Sequence, residues 1–335
     1  MTHPPIEALW YRVSFWHVFL LPLSWVFSIL VALRRSLYRM GLLKSFRVPV
    51  PVVVVGNITV GGTGKTPLVL WLARFLSENG YRPGIVSRGY GGSTETPREV
   101  TNDAQASQVG DEPVLLAARG GCPVWVGRDR VVAVQALLAK YPRVNVIIAD
   151  DGLQHYRLRR DVEIAVLDGE RSVGNGFLLP AGPLRESVAR LREVDAVVLN
   201  GGGTAQPDAG RTTYPMTLEG SVLYHLADPA QTATAESFHG GKVHAIAGIG
   251  NPARFFRHLE ALGVSIVPHA FPDHHAYKTA DLDFHDGAPI VMTEKDAVKC
   301  RELAVDRCWV LAVDARVPAA LGSAILERLH GRKAA

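Results

Sequence analysis

"VVVVGNITVGGTGKTPLVLWLA", residues 52–73, runs from four valines through a glycine-rich turn into apolar residues at helical spacing. A strand, a tight turn and a helix in that order leave the helix's unpaired N–H groups and positive dipole end facing the turn. An anion is favoured there. Gly61, Gly62 and Gly64 let the backbone approach a phosphate without a Cβ in the way. Lys65 is placed to reach β- and γ-phosphate oxygens, and Thr66 to offer its hydroxyl to Mg²⁺. The usual G-x-x-x-x-G-K-[ST] spacing puts its first glycine at 59, where Thr59 stands. The G-G-x-G-K-T core lowers the steric need for a glycine further upstream. Thr59, Val60, Gly61, Gly62, Thr63, Gly64, Lys65 and Thr66 therefore read as a variant ATP-phosphate loop, against the plainer alternative of a glycine-rich turn with no ligand.

Such a loop needs a metal-orienting acid on a neighbouring strand. "VNVIIADDGLQH" (144–155) supplies Asp150 and Asp151 at the end of a β-branched run, and ligands collect at the carboxyl ends of parallel strands. One of the two would hold Mg²⁺ and the other a second ligand, while a cap on the following turn accounts for at most one of them. Further apolar runs at 50–56, 83–89, 122–127, 162–169 and 194–201 alternate with helical patterns at 66–79, 112–118 and 128–140. The runs are nearly continuous in Val, Ile and Leu, as expected of a sheet covered on both faces. The expected fold is α/β: a P-loop NTPase-like, mostly parallel domain over 48–219 and a smaller α/β domain over 220–330. The two are separated by the Gly- and Thr-rich stretch 201–213.

Residues 13–33, "VSFWHVFLLPLSWVFSILVAL", are 21 positions without Asp, Glu, Lys or Arg, followed by Arg34 and Arg35. That length can cross a hydrocarbon core of about 30 Å. Glu7 and Arg12 ahead of it, with no A-x-A site behind, do not suit a cleaved signal peptide. His17 and Pro22 interrupt a clean span, whereas Trp16, Trp25 and the arginine pair suit an interface. Residues 1–47 thus read as a membrane-associated helix and a basic segment, "RRSLYRMGLLKSFR" (34–47), facing anionic headgroups on the cytoplasmic side. A helix buried on the core is the competing reading. The formal charge of +4 over 335 residues, with no basic block interleaved with aromatics, does not point to nucleic acid. Cys122, Cys300 and Cys308 have neither zinc nor disulfide spacing, as expected of incidental thiols in a reducing compartment. No obligate protein partner is evident.

Four other stretches offer chemistry. In "VGDEPVLLAA" (109–118), Asp111, Glu112 and Pro113 are residues that also simply start helices. "SRGYGG" (87–92) puts Arg88 and Tyr90 on a glycine-rich loop after a strand. "FPDHHAY" (271–277) offers metal ligation, proton relay or a polar loop, with no third ligand at zinc spacing. "MTEKDAVK" (292–299) places Glu294 and Lys295 after a strand, within reach of an interdomain cleft.

The order of these motifs, with "LPAGPLRE" (179–186) between them, resembles the tetraacyldisaccharide 4'-kinases, the lipid A 4'-kinases of Gram-negative inner membranes. The resemblance covers nearly the whole chain. It implies transfer of the ATP γ-phosphate, with Mg²⁺, to the 4'-hydroxyl of a membrane-held tetraacylated glucosamine disaccharide 1-phosphate, giving lipid IV-A. By motif it implies that Thr59–Thr66 hold ATP and that Asp150 and Asp151 hold the metal. Asp111 is implied as general base with His274 as its partner, and Glu112, His155 and Glu294 lie near metal or nucleotide. The variant loop with Thr59 is what this family leads one to expect. A nucleotide switch with a protein partner has such loops too, but usually with Lys where Val60 stands. A small-metabolite kinase leaves the N-terminal apolar segment without a purpose.

Overall fold

The computed structural model describes residues 10–333 apart from 12, 16, 94–95, 102, 203–209 and 304–305. Glu7, Arg12, Trp16 and most of the 201–213 stretch lie outside the described residues. Two sheets organise the chain. The larger has nine strands in the order β15-β8-β7-β6-β1-β5-β2-β4-β3. In chain order these are β1 (Val52–Gly56), β2 (Pro83–Ser87), β3 (Arg98–Glu99), β4 (Val124–Val126), β5 (Val146–Asp150), β6 (Val162–Asp168), β7 (Ala196–Asn200), β8 (Thr213–Glu219) and, far along, β15 (Asp314–Arg316). From β8 to β4 every pairing is parallel; β3 and β15 close the two edges antiparallel.

The valine run explains why β1 sits mid-sheet. Val53 and Val55 feed the core on one face, with Leu68, Leu72 and Leu76 of the helix Lys65–Glu78. Val52 and Val54 feed the core on the other, with Val134 and Leu137 of the helix Arg130–Lys140. A strand with apolar residues on both faces has no side to show to water. Each buried valine contributes about 1.5 kcal/mol or more.

The smaller sheet runs β10-β9-β14-β13-β11-β12. Its strands are β9 (Val222–His225), β10 (Thr232–Thr234), β11 (Val243–Ala247), β12 (Ile266–Ala270), β13 (Ile290–Thr293) and β14 (Cys308–Leu311), and β12, β11, β13 and β14 are mutually parallel. Cys300 and Cys308 are buried in its core, Cys122 is half-buried, and all three thiols are free. The chain does not finish in this unit, as the 220–330 boundary expected. It returns through β15 to pair with β8, and the helix Ala319–Lys333 buries Leu321, Ile325 and Leu329 in the core of the larger sheet. A strand of three residues carries too little pattern to show this from sequence.

The N-terminal helix, His17–Arg39, lies along the body rather than standing away from it. Ser24 Oγ donates to the Leu178 carbonyl at 2.7 Å, Asn175 Nδ2 lies 3.0 Å from His17 Nε2, and Arg34 donates to the Gln154 carbonyl. Arg35 and Arg39 both pair with Glu193. Its outer face leaves Phe19, Leu23, Val26, Ile29, Leu30 and Leu33 exposed. Those positions recur at helical spacing, so the exposed residues form one apolar stripe.

Because Leu321 is fully buried under the larger sheet although it comes from the last helix, Leu321→Ala should destabilise the nucleotide-loop domain by about 2–5 kcal/mol. Urea denaturation followed by near-UV circular dichroism measures this. An effect below about 0.5 kcal/mol, the range of surface substitutions, would show that the C-terminal return does not hold that domain.

Candidate functional site

The glycine-rich loop leaves β1 at its carboxyl end and enters the helix that starts at Lys65. Thr59 is buried and extended, bridged to Leu184, while Val60 N–H donates to Pro183 O and Arg185 N–H to Ile58 O. Strand-like pairing needs no positive φ, so a β-branched residue fits where the common pattern has glycine. Gly64 is different. Its φ is 86°, and a Cβ there would lie 2.2 Å from Asn200 Nδ2, which donates to the Thr63 carbonyl at 3.0 Å. From the other sheet, Gly250 presses on the same loop, and a Cβ on it would meet the Gly62 nitrogen at 2.3 Å.

Lys65 is buried, with Nζ 3.4 Å from Asp151 Oδ1. Arg185 reaches Asp151 at 3.1 Å. Burial disfavours the Asp151 charge, but Lys65 and Arg185 outweigh it and hold the carboxyl well below the usual range. Asp150 has the opposite fate. It accepts a hydrogen bond from Ser87 Oγ at 2.9 Å, and its other oxygen is buried with no partner. Burial, then the charges of Glu112 and Asp151, push its pKa up to about 7. Two adjacent acids are thus split into one ionised and one poised to ionise when a cation arrives. The orphaned oxygen and the all-oxygen donor set suit a hard divalent ion such as Mg²⁺. Among the described residues no three or more His, Cys, Asp or Glu are gathered so as to hold a metal by themselves. Nucleotide phosphates would have to complete the shell, which is how Mg²⁺ is commonly bound.

Asp111 and Glu112 open the helix Asp111–Arg119, after Gly110 at φ 91°. Their helix-start position does not exhaust their role. His274 Nδ1 lies 3.1 Å from both Asp111 oxygens, and the His274 ring is 5.2 Å from that of Tyr90. Burial opposes the Asp111 charge, but the His274 hydrogen bond and then Lys295 lower its pKa. The same hydrogen bond raises that of His274, against burial. The two histidines of "DHH" part company: His275 turns to Asp281 at 3.1 Å and stacks on Phe271. A shared metal is thereby excluded for this pair as placed.

One cavity of about 1360 Å³ joins these groups. Gly61, Gly62, Lys65 and Asp151 line it from the nucleotide-loop side, together with Glu112, Arg88, Tyr90 and His274, and Phe27, Leu30 and Val31 of the N-terminal helix line the same space. His274, rather than the Asp111 carboxylate, borders the open space. Two expected residues are elsewhere. Glu294 is buried under Arg119 at 2.7 Å and the Val313 N–H, tying the two domains together. His155 faces Asp129 at 3.8 Å and does not border the cavity; burial and Arg130 lower its pKa to about 4. Thr66 sits on the helix's first turn, half-buried. Sequence reasoning gave no role to Arg185, Asn200, Gly250 or Arg171, which lines the cavity near Gly61. "LPAGPLRE" was the signal for Arg185; the others stand at strand ends only the fold reveals.

The protein-family model described as tetraacyldisaccharide-1-P 4'-kinase matches residues 16–330. The tetraacyldisaccharide 4'-kinase of Methylobacillus flagellatus is 52% identical over 97% of this chain and 95% of its own length. That of Azoarcus sp. is 53% identical over 93% and 92% respectively. A crystal structure of LpxK from Aquifex aeolicus in complex with ATP superposes with a TM-score of 0.78 at 30% identity, covering 93% of this chain and 99% of that one.

With the Asp150 pKa raised to about 7, the native state keeps a proton over the range in which the unfolded chain, with its ordinary value of 3.8, has released it. Stability should therefore fall as pH rises from about 4 to about 7, by linkage. Asp150→Asn should flatten that fall in urea denaturation with chelator present. Parallel profiles for wild type and variant would contradict the assignment.

Proposed function

The chain belongs to the tetraacyldisaccharide-1-P 4'-kinase family, and from that premise we propose that it transfers the γ-phosphate of ATP to the 4'-hydroxyl of a tetraacylated glucosamine disaccharide 1-phosphate. The observation that carries this is the cavity: one space lined by the phosphate loop, by apolar residues of the N-terminal helix and by His274, with Asp111 behind His274 at 3.1 Å. Thr59–Thr66 bind the nucleotide phosphates. Lys65 neutralises oxygens that gain charge as the phosphoryl group moves. Thr66, Asp150, Asp151 and Glu112 are the residues that would hold Mg²⁺, which when bound would supply positive charge to the phosphate oxygens.

A sugar hydroxyl is a weak nucleophile at neutral pH, so its proton must leave as the new P–O bond forms. Asp111, the expected general base, acts through its partner His274: the imidazole, which borders the cavity, takes the acceptor's proton at Nε2, and the ionised Asp111 carboxylate, 3.1 Å from Nδ1, stabilises the imidazolium that forms. The proton passes to this pair, the bridging oxygen of ATP leaves on ADP, and Lys65 stays on the phosphates throughout. The apolar stripe of the N-terminal helix supports an interfacial seat on the cytoplasmic face of the bacterial inner membrane. There the helix meets a substrate whose acyl chains do not leave the bilayer.

Incubation with γ-labelled ATP, Mg²⁺ and detergent-dispersed tetraacyl disaccharide 1-phosphate should move label to the lipid on thin-layer chromatography. ATP hydrolysis without lipid labelling would favour a nucleotide switch instead. Lys65→Ala should lower both ATP affinity and transfer, with kcat/KM reduced by about 10³-fold or more, because Lys65 touches phosphate in ground and transition state alike. Full activity in that variant would sink the phosphate-loop reading.

A further inference from the structure

Lys295 is the second residue of the helix Glu294–Cys300, at the carboxyl end of β13 in the smaller sheet. Its side chain is largely buried, and Nζ lies 3.1 Å from Glu112 Oε1, 3.1 Å from Asp273 Oδ1 and 3.9 Å from Asp111 Oδ2. These carboxylates come from two places. Asp111 and Glu112 begin a helix packed on the larger sheet, whereas Asp273 lies in the loop after β12. Among the described residues no other lysine or arginine pairs with any of the three. One ammonium therefore ties both domains together at the wall of the cavity.

The tie runs directly into the catalytic pair. Asp273 Oδ1 accepts from Lys295 Nζ and also from the His274 backbone N–H at 3.1 Å. His274 itself sits at φ 60°, a left-handed conformation that a non-glycine residue keeps only when its surroundings impose it. On the other side, the same ammonium approaches the Asp111 carboxylate that His274 must meet. We propose that Lys295 is a positioning residue for phosphoryl transfer, seating Asp273 and Asp111 so that the His274–Asp111 pair forms across the two domains. Lys295 does not border the cavity, and it acts through the residues it holds.

This inference rests on the kinase reading above, and its test separates the two. Lys295→Met keeps the aliphatic stem and removes the charge; Lys295→Arg keeps the charge with a different geometry. In the lipid-phosphorylation assay, Lys295→Met should lower kcat by about 100-fold, the scale of a misplacement near 1 Å, while the KM for ATP stays within about threefold. Lys295→Arg should regain about tenfold of that loss, since the ion pairs re-form at altered geometry. A thermal melt with each variant separates folding from alignment. Where Lys295→Met folds poorly, Asp273→Asn provides the second variant and should lower kcat by about tenfold with ATP affinity retained. A wild-type enzyme that labels no lipid would overturn both readings. An active wild type with Lys295→Met within about threefold of its kcat would overturn the positioning role alone, as would losses that track the folded fraction without Arg rescue.

Discussion

Parallel strands deliver the loops that follow them to one edge of a sheet, and in this chain both sheets turn that edge toward the same space. The larger sheet contributes the glycine-rich loop after β1, Arg88 and Tyr90 after β2, Asp151 after β5 and Asn200 at the end of β7. The smaller sheet contributes Gly250 after β11, His274 after β12 and Lys295 after β13. Neither set is sufficient. The phosphate loop comes from one sheet and His274 from the other, and the carboxylate hydrogen-bonded to His274 Nδ1, Asp111, comes from the larger sheet's side. The common edge is the constraint from which the cavity follows.

Charge placement follows from it. Bringing Asp111, Glu112, Asp150, Asp151 and Asp273 into one region would be costly if all were left ionised and unpaired. The fold answers case by case. Asp151 is clamped by Lys65 and Arg185, Asp111 by His274 with Lys295 behind it, and Glu112 and Asp273 by Lys295. Asp150 alone is left with an unpartnered buried oxygen and a raised pKa. A divalent cation bound with nucleotide would relieve that cost, which is why the proposed metal site and the predicted pH dependence fall on the same carboxyl.

The phosphate loop was legible because its signal is local. Steric needs at Gly64 and the charge of Lys65 follow from a few adjacent residues, and the β-branched run before Asp150 marks its strand without any tertiary information. The motif resemblance carried the pairing of Asp111 with His274, residues 163 positions apart. What stayed hidden depends on short or paired elements. β15 is a three-residue strand recruited by β8, and Glu294, read as lying near the nucleotide, is buried as an interdomain ion pair with Arg119. Whether a carboxylate after a strand faces a cleft or the neighbouring domain is decided by packing that the local sequence does not encode. The N-terminal helix falls between: its length and apolar content were plain, but its attachment along the body through Ser24, Arg34 and Arg35 was not.

The claim on which the account turns is that Asp111 and His274 act as one unit on the acceptor. A double-mutant cycle on kcat for lipid phosphorylation, with Asp111→Asn, His274→Ala and the pair together, tests it most directly. The account predicts strong non-additivity, the double variant being no slower than the slower single variant to within about threefold, as for residues that share one task. Losses that multiply would contradict it and assign the two side chains independent roles.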